Sequence, residues 1–225
     1  MQLKMGQNDL FNFSKITPCN IGNPQAVGQG FITFNREVIS ACIYPALLET
    51  NVISDDAKER AKFLLSNFST PMGAYTSNSK GHMTIRKEIA KFIEERDGVQ
   101  SNPNNIYMSS GASEAVRLAF KMIARNYKQG IMIPIPQYPL YSAQTTLDGG
   151  TMVRYYLDED KNWGVDVKDI KERIKNAKDV GIDLRAIVVI NPGNPTGNVL
   201  KRDNIEDIIR VSHEHKLIIL ADEVY

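Results

Sequence analysis

Apolar positions along the chain follow two regimes that change near residue 105. Before it, "FITFNREVISACIYPALL" (31–48), "SDDAKERAKFLLSNF" (54–68) and "TIRKEIAKFIEERDG" (84–98) repeat their apolar residues at helical spacing. Ser54 stands as the N-cap of the second helix, with Asp55 and Asp56 in its first turn, and Gly98 closes the third. "GAYTSNSKGH" (73–82), small and polar, predicts a loop. From Asn105 onward the short apolar runs "NIYMSS", "GIMIPI", "TMVRYYL", "RAIVVIN" and "KLIILAD" predict strands. Between them "GASEAVRLAFKMIARNY", "PLYSAQTTL", "DVKDIKERIKNAKDV" and "RDNIEDIIRVSHEHK" predict helices. Such alternation implies an α/β fold, a mainly parallel sheet covered on both faces.

The chain of 225 residues, 42% hydrophobic, can bury one large or two small cores. The chain is expected to divide into residues 1–80, an N-terminal arm with small-domain helices, and residues 81–225, the sheet domain. With 27 basic against 26 acidic residues and no run of like charge, the composition favours small-molecule chemistry over nucleic acid or a membrane surface. Cys19 and Cys42 have no paired spacing, which argues against a disulfide framework or a zinc knuckle and for a reducing compartment. "MQLKMGQNDLFNFSKITPC" carries no signal-peptide core, and no segment reaches the ~18 apolar residues of a membrane span, so a cytoplasmic location is expected. His213 and His215, two apart on a helix, face different directions and are expected in solvent rather than on a metal.

In sheets of this kind ligands sit beyond the carboxyl ends of the strands. The loops there are "SSGASE", "PIPQYPLY", "NPGNPTGN" and "ADEVY". "SSGAS" (109–113) hands a strand to a helix through Gly111. Its backbone N–H groups suit a phosphate, although plain capping is the commoner explanation of such a turn. Prolines 134, 136 and 139 fix an extended path presenting Tyr138 and Tyr141, either of which could stack on a flat ring or fill the core. "NPGNPTG" (191–197) has two Asn-Pro bonds and places Asn194, a donor and acceptor that suits a phenolate-like oxygen or a carboxylate; a tight turn is the plainer explanation. Asp222 lies just past a strand end, where a buried carboxylate needs a cation. A magnesium–nucleotide reading fails because no Gly-x-x-x-x-Gly-Lys-Ser/Thr loop exists, and "GQGFIT" lacks the third glycine and preceding strand of a dinucleotide fingerprint.

Taken together, "NIGNPQAVGQ", "GAYTSNSKG", "PNNIYMSSGASEA", "IPIPQYPLYSA", "YYLDEDKNW", "VVINPGNPTGNV" and "LADEVY" resemble, in order and spacing over residues 15–225, the fold-type I pyridoxal-phosphate-dependent aminotransferases. "NPGNPTG" with "ADEVY" marks the wider class, and "IPIPQYPLYSA" with "NIGNPQAVGQ" its alanine branch. Asn23 stands where the resemblance calls for Asp. The resemblance implies pyridoxal 5'-phosphate as cofactor, held at its phosphate by Gly111, Ala112 and Ser113 and stacked on Tyr138. It implies that Asn194 and Tyr225 bond the ring's 3-oxygen and that Asp222 pairs with the ring nitrogen, keeping the ring protonated as an electron sink. It further implies that Tyr75 reaches the phosphate of a neighbouring subunit in a homodimer, and that Gly22 and Asn194 lie near the substrate carboxylate. The implied reaction is transamination, L-alanine with 2-oxoglutarate giving pyruvate and L-glutamate.

Family members are roughly twice as long, and after "ADEVY" they carry the Schiff-base lysine and two arginines, for the phosphate and the substrate carboxylate. Lys201, expected on a helix, and Lys216, expected at a strand start, match other positions. The chain is therefore expected to be the N-terminal half of such an enzyme, with an exposed sheet edge. A catalytically silent fragment that dimerises or binds, and a lyase of the same fold, remain the alternatives.

Overall fold

A computed structural model describes Phe13 and residues 22–225. The opening segment, Cys19 and the first two residues of "NIGN" lie outside the described residues. The chain forms two compact units, Met1–Glu88 and Ile89–Tyr225, with the boundary inside a helix rather than near residue 80.

In the first unit, α1 (Thr33–Ile43) and α2 (Asp55–Asn67) pack through Val38, Ala41, Cys42, Ala57, Ala61 and Leu64. Alanines at 41, 57 and 61 let the two backbones approach closely. Burial pushes the Cys42 thiol above its usual pKa, as fits a packing residue rather than a reactive one. Ser54 is the N-cap of α2, but its hydroxyl donates to Glu37 Oε2 at 2.5 Å instead of accepting from the helix. α3 (Met83–Asp97) crosses the boundary and ends at Gly98, whose φ of 69° and N–H donated to Glu94 O make the expected C-terminal close. Residues 73–82 form the expected loop.

The second unit is a three-layer α/β/α sandwich. Its strands are β1 (Gln129–Ile135), β2 (Thr151–Asp158), β3 (Gly164–Val165), β4 (Asp183–Ile190) and β5 (Ile218–Asp222), in spatial order β3-β2-β1-β4-β5. All neighbours are parallel except the short β3. Its helices are α4 (Ala112–Ile123), α5 (Leu140–Leu147), α6 (Val167–Asp179) and α7 (Arg202–His215). Because side chains alternate along a strand, β4 sends Ala186, Val188 and Ile190 to α4 and α5, and Ile187 and Val189 to α6 and α7. Gly130 has no room for a side chain, since a Cβ would lie 2.7 Å from Ile182 Cγ2.

"NIYMSS" departs from expectation. Residues 106–109 make no strand, and Tyr107 and Met108 are exposed. The run is apolar enough for a strand but pairs with none among the described residues, and a strand needs a ladder. Lys201 and Lys216 also shift by a residue or two: Lys201 is the N-cap of α7, and Lys216 its C-cap, in the left-handed region at φ 56°. His213 and His215 are exposed. Among the described residues, no helix is long and apolar enough to cross a membrane.

Candidate active site

The chain leaves β1 toward β2 on one side and, after β4, toward β5 on the other. The order of the sheet therefore reverses between β1 and β4, and loops diverging from such a point leave a crevice at the carboxyl ends. Tyr138 lies in the loop after β1, Asn194 in the loop after β4, and Asp222 closes β5. The ends of β4 and β5 are level, because Ile190 pairs with Asp222 and the Asn191 N–H donates to Asp222 O at 3.0 Å.

The loop after β4 is braced by its own side chains. Its Asn191–Pro192 and Asn194–Pro195 bonds are cis. Asn191 Oδ1 accepts from Leu200 N at 2.9 Å, and Asn198 Nδ2 donates to Trp163 O at 3.1 Å while Asn198 Oδ1 accepts from the Thr196 hydroxyl. A Cβ on Gly193 would run into Asn198 Oδ1 and Thr196 Oγ1. The loop thus presents Asn194, whose Nδ2 donates to the Tyr225 hydroxyl oxygen at 2.9 Å. With its oxygen accepting from Asn194, Tyr225 directs its own proton elsewhere, which orients it as a donor. The brace residues Asn191 and Asn198 carried no sign of their role beyond standing in a loop rich in asparagine.

A cleft of about 400 Å³ opens between α4 and β5, lined by Ala112, Val116, Tyr141, Asp222 and Val224 among others. Gly111 is the N-cap of α4 with φ 80°, a backbone that disfavours any side chain, and it supplies no side-chain cap. Its own N–H donates to Ser109 O at 2.9 Å, so the backbone N–H groups left without an intrahelical partner are those of the first turn, Ala112 and Ser113 included. Asp222 Oδ1 accepts from the Val224 N–H at 3.2 Å, and Oδ2 accepts from the Tyr141 hydroxyl. Burial, and next the bond to Asp222, push the Tyr141 phenol far above its usual pKa. Tyr138 is 44% exposed and Tyr225 68% exposed; neither lines this cleft, and Asn194 lines a smaller one with Gly193 and Thr196. Among the described residues no lysine lines this cleft.

The second unit thus gathers Gly111, Ala112, Ser113, Tyr138, Asn194, Asp222 and Tyr225 at one end of the sheet. Gly22 and Tyr75 belong to the first unit, where Tyr75 is 94% exposed in its loop. Asn23, in place of the expected Asp, accepts from Gln25 N at 3.1 Å and caps the short helix Pro24–Val27, a role either side chain fills.

Residues 44–225 match the sequence model of the family described as aminotransferase class I and II. Alanine aminotransferase 2 of Panicum miliaceum is 49% identical over 95% of this chain and 45% of its own length. Glutamate–glyoxylate aminotransferase 2 of Arabidopsis thaliana is 47% identical over 94% and 44%. The chain therefore spans less than half the length of these relatives. In structure it is similar to an alanine aminotransferase from Pyrococcus furiosus, with a TM-score of 0.72 at 23% identity over 99% of this chain and 48% of that one, which shows the fold. The matched family, covering most of the chain, and the strand-end loops agree: this chain belongs to the class I and II aminotransferases.

Proposed function

We propose that the cleft holds pyridoxal 5'-phosphate and that the whole protein transfers the amino group of L-alanine to 2-oxoglutarate. The observation that carries this reading is the convergence on one cleft of an uncapped helix N-terminus and a carboxylate held at both oxygens. These groups fit the cofactor: the first turn of α4 suits a phosphate dianion, and Asp222 suits a protonated ring nitrogen. When bound, the cofactor supplies an electron sink for the pair released at the amino acid's α-carbon.

The chain's own residues then divide the work. Ala112 and Ser113 hold the phosphate through their amides, with Gly111 giving the backbone its turn. Tyr138 would stack on the ring and fix its tilt. Asn194 orients Tyr225, and the Tyr225 hydroxyl donates to the ring's 3-oxygen. Asp222 keeps the proton on the ring nitrogen. Tyr75 serves the phosphate of a second subunit in a homodimer, and Gly22 the substrate carboxylate. Among the described residues no lysine lines the cleft, so the covalent bond to the cofactor is assigned to none of them.

Alanine as amino donor is supported by the 49% identity to an alanine aminotransferase. The relative named for glutamate and glyoxylate, at 47%, makes glyoxylate the second candidate acceptor. The test is to load the intact protein with pyridoxal 5'-phosphate and supply alanine alone. A transaminase releases pyruvate in amounts equal to the cofactor and stops, then resumes when 2-oxoglutarate or glyoxylate is added. No pyruvate would sink the reading.

A further inference from the structure

Asp222 is gripped by two unlike donors. The Val224 N–H, 3.2 Å from Oδ1, belongs to the same strand end and follows any movement of it. The Tyr141 hydroxyl, on Oδ2, comes from α5, 81 residues away in sequence. Tyr141 is itself fixed: it is 2% exposed, its ring meets Phe120 at 6.0 Å, and its carbonyl accepts the Thr145 hydroxyl at 2.7 Å. It also stands three residues after Tyr138, on the same short path out of β1. A buried phenol with no carboxylate to meet would need another acceptor; here it spends its proton on the residue that faces the cleft.

We infer that Tyr141 is the positioning residue of Asp222: its phenol fixes the rotation of the carboxylate and ties the end of β5 to the segment that carries Tyr138. The inference rests on the reading of the cleft as a pyridoxal-phosphate site. Two groups that must address one flat ring, from its face and from its nitrogen, come from different strands. Tyr141 sets their relative position. A neutral donor also leaves the full negative charge of Asp222 for the ring, which a lysine or arginine in its place would cancel. Burial holds the phenol's proton in place well into alkaline solution, so the grip does not titrate where the enzyme works.

The test uses the intact protein and pyridoxamine 5'-phosphate, which forms no imine with a lysine. Its dissociation constant is measured for wild type, Tyr141→Phe, Asp222→Ala and the double variant, and a sample ¹⁵N-labelled in the ring reports the pH midpoint of ring-nitrogen protonation. Phenylalanine keeps the packing on Phe120, and folding of each variant is checked by its unfolding midpoint. Should Asp222→Ala be unfolded, Asp222→Asn replaces it. Tyr141→Phe is expected to weaken binding about tenfold and to move the ring-nitrogen midpoint toward that of the free compound. In the Asp222→Ala background it is expected to change neither, because its effect passes through that carboxylate. An unmoved midpoint, or losses that add in the double variant, would overturn the inference while leaving the cofactor reading intact. No saturable binding by wild type would overturn both.

Discussion

The two faces of the sheet are made by the same strands yet finish differently. On one, α6 and α7 close over Met132, Tyr155, Ile187 and Val189 with Ile170, Ile174, Ile208 and Val211, all buried. On the other, α4 and α5 cover Ile131, Ile133, Ala186 and Val188, but toward β5 the layer parts into the cleft that holds Asp222, and Leu118 and Met122 of α4 remain exposed. The closed face holds the strands in register. The open one displays what their ends carry. On the proposed reading of the cleft, stability and cofactor binding fall to opposite sides of one layer, and substitutions should separate them.

The largest effect is expected on the closed face. Ile170→Ala empties a fully buried site and should cost about 2–5 kcal/mol of stability, read from denaturant unfolding, while protein that stays folded binds pyridoxamine 5'-phosphate as before. A loss of affinity matching the loss of stability would dissolve the separation. Asp222→Asn is the converse: binding should weaken about 100-fold in equilibrium dialysis, with the unfolding midpoint little changed.

Gly193→Ala lies between the two. Its methyl must displace Asn198 and Thr196, which brace the loop, at about 1–3 kcal/mol. Asn194 should lose its bond to Tyr225, and affinity should fall with stability. The smallest effect is alkaline. Tyr155, fully buried with its hydroxyl 2.7 Å from Val188 O, has its pKa raised by burial. Its contribution is therefore complete below the unfolded-state value near 10 and is lost above it, at about 1.4 kcal/mol per pH unit. Tyr155→Phe should flatten the fall of stability above about pH 10, which a titration of the unfolding midpoint would reveal.

Most of this architecture was legible in the sequence, for identifiable reasons. Runs such as "RAIVVIN" are too short and too β-branched for helices, and the intervening segments keep helical spacing. "NIYMSS" misled because composition reports only that a segment could be a strand, whereas pairing depends on a neighbour elsewhere. The strand-end loops could be picked out from proline, glycine and carboxylate placement, and the family resemblance supplied the roles proposed for their residues. The bond between Tyr141 and Asp222 could not, since it joins residues 81 apart and periodicity carries no such information. Nor could the engagement of the Gly111 amide by Ser109, which depends on the path of one turn. The boundary of the units fell within α3 because a helix that spans both shows no break in its pattern.

The claim at the centre of this account is that the cleft between α4 and β5 is built for a phosphorylated pyridine. Equilibrium dialysis of the intact protein against pyridoxal 5'-phosphate and, separately, against pyridoxal tests it most directly. One phosphorylated molecule per chain, bound far more tightly than pyridoxal and released by Asp222→Asn, is the predicted result. Equal binding of the two compounds, or affinity untouched by the loss of the carboxylate, would contradict it.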